Sequence, residues 1–83
     1  MGIRAIVGFN VPRLRRERGL SQEELSFRSG FTRAYLSGLE AGRRNPTIDS
    51  LSKLAQALDT EIEELIRPPF AEANQKTRNG NGG

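Results

Sequence analysis

Neither cysteine nor histidine occurs in this chain, and tryptophan is also missing. Their absence excludes disulfides, thiol nucleophiles, imidazole bases and nearly every zinc-site pattern, so no metal and no cofactor is expected. No apolar run approaches the ~18 residues of a membrane span, and residues 1–7 have neither the length nor the small-residue cleavage pattern of a signal peptide. The expectation is a soluble, cytoplasmic protein with no membrane partner. At 83 residues the chain falls below the ~100 to 200 of an ordinary domain, which leaves room for one folded unit with a modest core. No small-molecule effector pocket is expected in so short a chain.

Charge is present but unevenly placed. The formal net charge is +3, yet residues 1–46 hold nine basic against four acidic residues, whereas residues 47–66 hold one against five. One half of the fold is built to meet an anion and the other is not. The competing reading is that these charges only solvate helix faces.

Caps and apolar spacing place five helices, and no segment alternates β-branched residues with a period of two, so the fold class is all-α. The first helix carries Val7, Val11, Leu14 and Arg18 on one stripe and stops at Gly19, where left-handed backbone is cheap. Its start is open. Pro12 is harmless in a first turn, which would make Asn10 the cap and leave residues 3–9 extended or in a separate turn. Ser21 and Glu24 form a capping box before the second helix, with Leu20 and Leu25 as a hydrophobic staple; Thr32 caps the third, with Phe31 and Leu36 repeating the staple. Only about three or four residues separate these two helices, as in a helix-turn-helix. Thr47 caps a fourth helix, and the box Thr60 and Glu63 starts a short fifth one that Pro68 and Pro69 stop. The domain spans residues 1–70, and residues 71–83 are polar, Gly/Asn-rich and expected to be disordered.

The run Leu14, Arg15 and Gly19 through Leu25, followed by Gly30, Tyr35 to Ser37, Leu39, Glu40, Gly42, Asn45 to Thr47 and Leu51, resembles the Cro/cI-type (Xre) helix-turn-helix family over roughly residues 8–66. Residues 33–40 with Arg44 and Asn45 look like the controller proteins of restriction-modification systems. The resemblance implies a five-helix, lambda-repressor-like domain that binds double-stranded operator DNA as a symmetric homodimer, with helix three in the major groove. It also implies that Arg15 pairs with Glu40 inside the domain.

Physical chemistry supplies roles for the residues around that helix. Arg33 carries a fork suited to guanine O6 and N7, Ala34 suits a thymine methyl, and Ser37 lies one turn on; these three are the base-reading candidates. Small residues at 34 and 37 are equally what close helix packing demands. A cation at a helix N-terminus opposes the dipole, which argues that Arg33 faces an anion or a base. Ser21 and Gln22 at the start of helix two, with Thr32, Tyr35, Arg43, Arg44 and Asn45, are expected to hold the sugar-phosphate backbone, although Tyr35 also suits partial burial.

No catalytic site emerges. Glu23 and Glu24 are helix neighbours that point in different directions, and the capping box occupies Glu24. The rival function is a protein-interaction module such as an antitoxin or coactivator, which would not require the basic 33–45 region. Dimerisation is expected through Leu58, Ile62, Leu65 and Ile66, because a helix as short as the fifth cannot bury all its apolar residues on its own domain.

Overall fold

A computed structural model describes residues 2–69; the polar tail expected over residues 71–83 lies outside them. The described residues form five helices: α1 (Ile3–Glu17), α2 (Gln22–Ser29), α3 (Arg33–Glu40), α4 (Ile48–Ala57) and α5 (Ile62–Ile66). They hold no strand. One core gathers leucines from every helix, among them Leu14, Leu25, Leu36, Leu39, Leu54, Leu58 and Leu65, with Val7 and Val11 of α1. α1 packs against both α3 and α5, while α2 sits between α3 and α4.

The start of α1 corrects the sequence reading. The helix begins at Ile3, Asn10 is not its cap, and Pro12 lies in its interior. An interior proline removes a hydrogen bond and crowds the preceding turn at about 3 kcal/mol or more. Burial of Ile6 and Val7, 7% and 0% exposed, returns about 1.5 to 3 kcal/mol for each side chain, so the extended helix wins. Gly8 lies four residues before the proline, and a Cβ there would stand 2.9 Å from the Leu39 carbonyl oxygen. The missing side chain lets α1 close onto the end of α3.

Asn10 is buried and acts across the fold. Its Nδ2 donates to the Leu65 carbonyl at 2.8 Å and to the Arg67 carbonyl at 3.0 Å, and its Oδ1 accepts from Arg13 at 3.3 Å. The last carbonyls of a helix have no intrahelical partner, and Pro68 and Pro69 bring no N–H to satisfy them. Asn10 therefore closes the end of α5.

Three helices terminate in the same way, with a left-handed residue followed by an amide that reaches back over the last turn. Gly19 (φ 68) precedes Leu20, whose N–H donates to the Arg15 carbonyl; Gly42 (φ 75) precedes Arg43, whose N–H donates to the Gly38 carbonyl. At the end of α4 the left-handed residue is Asp59 (φ 53), and the N–H of Thr60 donates to the Ala55 carbonyl. That bond explains a second correction. Thr60 belongs to the close of α4, so the expected capping box of Thr60 and Glu63 does not form, and Glu61 takes the cap position of α5 without a side-chain bond.

The other caps form as the sequence predicts. The Ser21 hydroxyl accepts from the Glu24 N–H at 3.0 Å and the Glu24 carboxylate accepts from the Ser21 N–H at 2.8 Å; Thr32 and Thr47 cap α3 and α4. The Glu24 carboxyl is held below the ordinary glutamate range, first by the main-chain bond from Ser21, then by the Ser21 side chain, with a smaller contribution from the Arg28 charge. A carboxyl depressed by folding contributes stability above its unfolded value and loses it as pH falls through its folded value. Glu24→Gln keeps the acceptor that a capping box needs but removes the charge. Thermal unfolding followed from neutral pH down into the acid range should therefore show a shallower loss of stability for Glu24→Gln than for the unaltered chain; coincident slopes would contradict this role.

Candidate nucleic-acid interface

The turn between α2 and α3 is fixed by its own polar side chains. The Ser26 hydroxyl donates to the Phe31 carbonyl, and the Phe31 N–H donates to Ser29 Oγ at 3.2 Å, beside the left-handed Gly30 (φ 81). Burial of Leu25 and Leu36, both 0% exposed, presses the two helices onto a common core. Their relative angle is thus set from inside and from the turn.

α3 divides cleanly into two faces. Leu36 and Leu39 are buried, while Arg33, Ala34 and Ser37 are exposed and, at i, i+1 and i+4, share the outward side. The three base-reading candidates are thus brought together on one accessible strip. Thr32 sits at its start with its hydroxyl accepting from the Tyr35 N–H at 3.0 Å.

On this strip and in the loop after α3 stand three cations. Among the described residues Arg33, Arg43 and Arg44 form no salt bridge, and Arg43, Arg44 and Asn45 are exposed. Arg44 folds back across α3 with its guanidinium 5.6 Å from the centre of the Tyr35 ring. Tyr35 itself is half-buried against Phe31 at 4.8 Å between ring centres, as expected for partial burial.

Ser21 and Gln22 are less free than the sequence suggested. The Ser21 hydroxyl is engaged in the capping box, and the Gln22 amide donates to Glu40 at 3.3 Å. What α2 presents to solvent is its first main-chain N–H groups and its dipole. The glutamate that Gln22 contacts is the partner expected for Arg15. Arg15 Nε and Nη2 donate to the two Glu40 oxygens at 2.9 and 3.1 Å, and Nη1 donates to the Leu20 carbonyl at 3.0 Å. Both side chains are about nine-tenths buried, at 11% and 12% exposure.

The expected dimer residues separate. Leu58 and Leu65 are 0% exposed within the single chain, so they belong to its core and offer no surface to a second copy. Core packing of α5 against both α1 and α4 accounts for this correction. Ile62 packs at the edge of the core and Ile66 remains 38% exposed. Sequence reasoning missed the clamp by Asn10, although its spacing from Val7 and Leu14 put a polar residue on the apolar stripe of α1. It also missed Phe31 and Gly38 as neighbours of the interface; the visible signal was a glycine inside a helix, where propensity disfavours it.

A helix-turn-helix family model matches residues 13–65, the segment that contains α2, α3, the basic loop and the Arg15–Glu40 pair, and the chain belongs to that family. Among its relatives is an uncharacterised HTH-type transcriptional regulator of Sinorhizobium fredii, 57% identical over 68 residues that cover 82% of this chain and 88% of that protein. The restriction-modification controller protein C.AhdI of Aeromonas hydrophila is 45% identical and superposes with a TM-score of 0.72 over 75% of this chain and 94% of its own. A further controller protein, C.Esp1396I, solved as a tetramer in complex with its natural 35 base-pair operator, is 31% identical with a TM-score of 0.69, over 81% of this chain and 99% of its own. The fold is that of the Cro/cI-like helix-turn-helix regulators, and the protein is a DNA-binding transcriptional regulator of this class.

The Arg15 and Glu40 pair generates a prediction. Removing one partner of a buried pair leaves the other uncompensated, which costs about 3 to 5 kcal/mol, whereas replacing both with apolar residues of similar size is often neutral. Glu40→Ala should destabilise the domain on that scale in urea unfolding, and Arg15→Met combined with Glu40→Leu should recover most of the loss. A double variant no more stable than Glu40→Ala would show that the pair holds the fold in some way other than mutual compensation.

Proposed function

We propose that the protein binds operator half-sites in the cytoplasm as a homodimer, reading bases through Arg33, Ala34 and Ser37 and gripping the backbone through Arg43, Arg44, Asn45 and the helix starts at Ser21, Gln22 and Thr32. The observation that carries this reading is the exposed strip of α3 that bears Arg33 and is bordered by Arg43 and Arg44, none of which has a carboxylate partner among the described residues. Cations along the exposed face of a helix suit a polyanion with readable edges, because phosphate contacts position the helix and base contacts specify. Tyr35 in this reading works through its ring, and the N–H groups of α2 replace the Gln22 side chain as the phosphate contact.

The dimer reading now rests on Ile66 with the half-buried Ile62, since Leu58 and Leu65 are core residues. A two-fold contact through this patch would set two copies of α3 about 34 Å apart, one turn of duplex. The relative solved as a tetramer on its operator supports assembly as part of recognition. The acidic residues Asp59, Glu61, Glu63 and Glu64 keep this end of the fold away from phosphates.

Operator sequences selected from a random duplex pool provide the test. Arg33→Ala should lower specific affinity by about 1 to 3 kcal/mol and relax preference at one base pair per half-site, while Arg43→Ala should weaken all sequences alike and reduce the salt dependence. Equal losses on specific and random duplex for Arg33→Ala would remove it from the base-reading set. Salt-independent binding, or none, would favour the protein-interaction alternative. For the assembly, Ile66→Glu should shift sedimentation toward the monomer with helicity intact and weaken operator binding at least tenfold through lost bivalency; an unchanged dimer would place the interface elsewhere.

A further inference from the structure

Gly38 occupies the middle of α3, where glycine is the poorest helix former after proline. No backbone requirement explains it, since its φ is helical rather than left-handed. The space beside it does. A Cβ built on Gly38 would stand 3.1 Å from Cγ and 3.2 Å from Nε of Arg44, closer than ordinary van der Waals contact. The side chain of Arg44 lies where the side chain of residue 38 would otherwise be.

Two further features hold Arg44 in that place. The N–H of Arg43 donates to the Gly38 carbonyl at 2.8 Å, which turns the chain after Gly42 back along α3. At the far end the guanidinium rests over Tyr35, whose other neighbour is Phe31, and Lys53 of α4 lies 5.9 Å from the Phe31 ring centre. Two tilted rings thus stand between two cations. Cations over aromatic faces are attracted by the ring quadrupole, and a planar guanidinium loses less freedom per contact than a flexible ammonium does.

We propose that Gly38 and Tyr35 form a cradle that fixes the Arg44 guanidinium on the DNA-facing side of α3 before DNA arrives, so that Gly38 is a positioning residue for operator binding although it presents no group to the duplex. The proposal rests on the reading of Arg44 as a DNA contact. Pre-ordering a long side chain removes part of the entropic penalty of binding.

The test is a double-variant cycle on the full chain with Gly38→Ala and Arg44→Ala. Alanine is the better helix former, and its methyl meets only a movable side chain, so the melting temperature of Gly38→Ala should equal or exceed that of the unaltered chain. Affinity for a selected operator should nevertheless fall about tenfold, the scale of a lost cation–π contact and its ordering. In the Arg44→Ala background the same change should alter affinity less than twofold. Tyr35 is the only tyrosine and there is no tryptophan, so tyrosine emission reports the cradle without DNA. Gly38→Ala should shift emission in the same direction as Arg44→Ala, with no further shift in the double variant. Equal affinity losses from Gly38→Ala in both backgrounds would overturn the cradle while leaving the functional reading intact. An Arg44→Ala variant that binds operator like the unaltered chain would overturn the cradle together with the DNA role of Arg44.

Discussion

Arg15 meets two distant parts of the fold with one side chain. Two of its nitrogens are held by Glu40 at the end of α3, and a third by the Leu20 carbonyl in the turn before α2. Gln22, the first residue of α2, reaches the same Glu40. The proposed reading of bases by α3 needs a fixed angle between α2 and α3, and this cluster ties both helices to α1. The planar guanidinium suits the task because its fork matches a carboxylate in two bonds and leaves donors for a carbonyl. It also neutralises an acid three residues before Arg43, which suits the DNA contact proposed for Arg43 and Arg44.

The opposite side of α1 performs the corresponding service for α5. Asn10 binds the carbonyls of Leu65 and Arg67, which the prolines that follow cannot satisfy. With that end closed, Leu65 turns fully into the core and Ile66 stays at the surface. One long helix therefore orients the α2–α3 pair on one flank and the short terminal helix on the other. This arrangement needs α1 at its full length, which is why an interior proline is tolerated in it.

Much of this was legible in the residues. Ser21 with Glu24, Thr32 and Thr47 carry oxygen at positions where helix donors are orphaned, so three of the five starts could be placed, and the outward position of Arg33, Ala34 and Ser37 follows from helical spacing. The failures over α1 and α5 packing share a cause, in that they depended on contacts far along the chain. Pro12 and Asn10 read locally as a first turn and its cap, and only burial against α3 and α5 decides otherwise. Thr60 reads as a cap until the left-handed Asp59 assigns its N–H to α4. Leu58 and Leu65 look available to a partner when α5 is viewed alone, because periodicity marks an apolar face without saying which neighbour covers it.

α3 itself is a poor helix by local standards. α2, α4 and α5 carry acids in their first turn, where the dipole favours them, but α3 has none there and places Arg33 at its start. It contains a glycine in its interior and spans only eight residues, too few for an isolated helix to persist in water. Its stability comes instead from the Thr32 cap, from Leu36 and Leu39 in the core, and from Glu40 locked to Arg15. Holding the helix from its buried side leaves its outer side without a structural duty. Arg33 is thereby kept next to a positive helix end, where an acid would be more stable, and Gly38 is kept clear for Arg44. Arg33 at the helix start and glycine at 38 each weaken α3 on its own, and the proposed contact with DNA gives both a reason, as where a surface is shaped by what it binds and not by the helix that bears it.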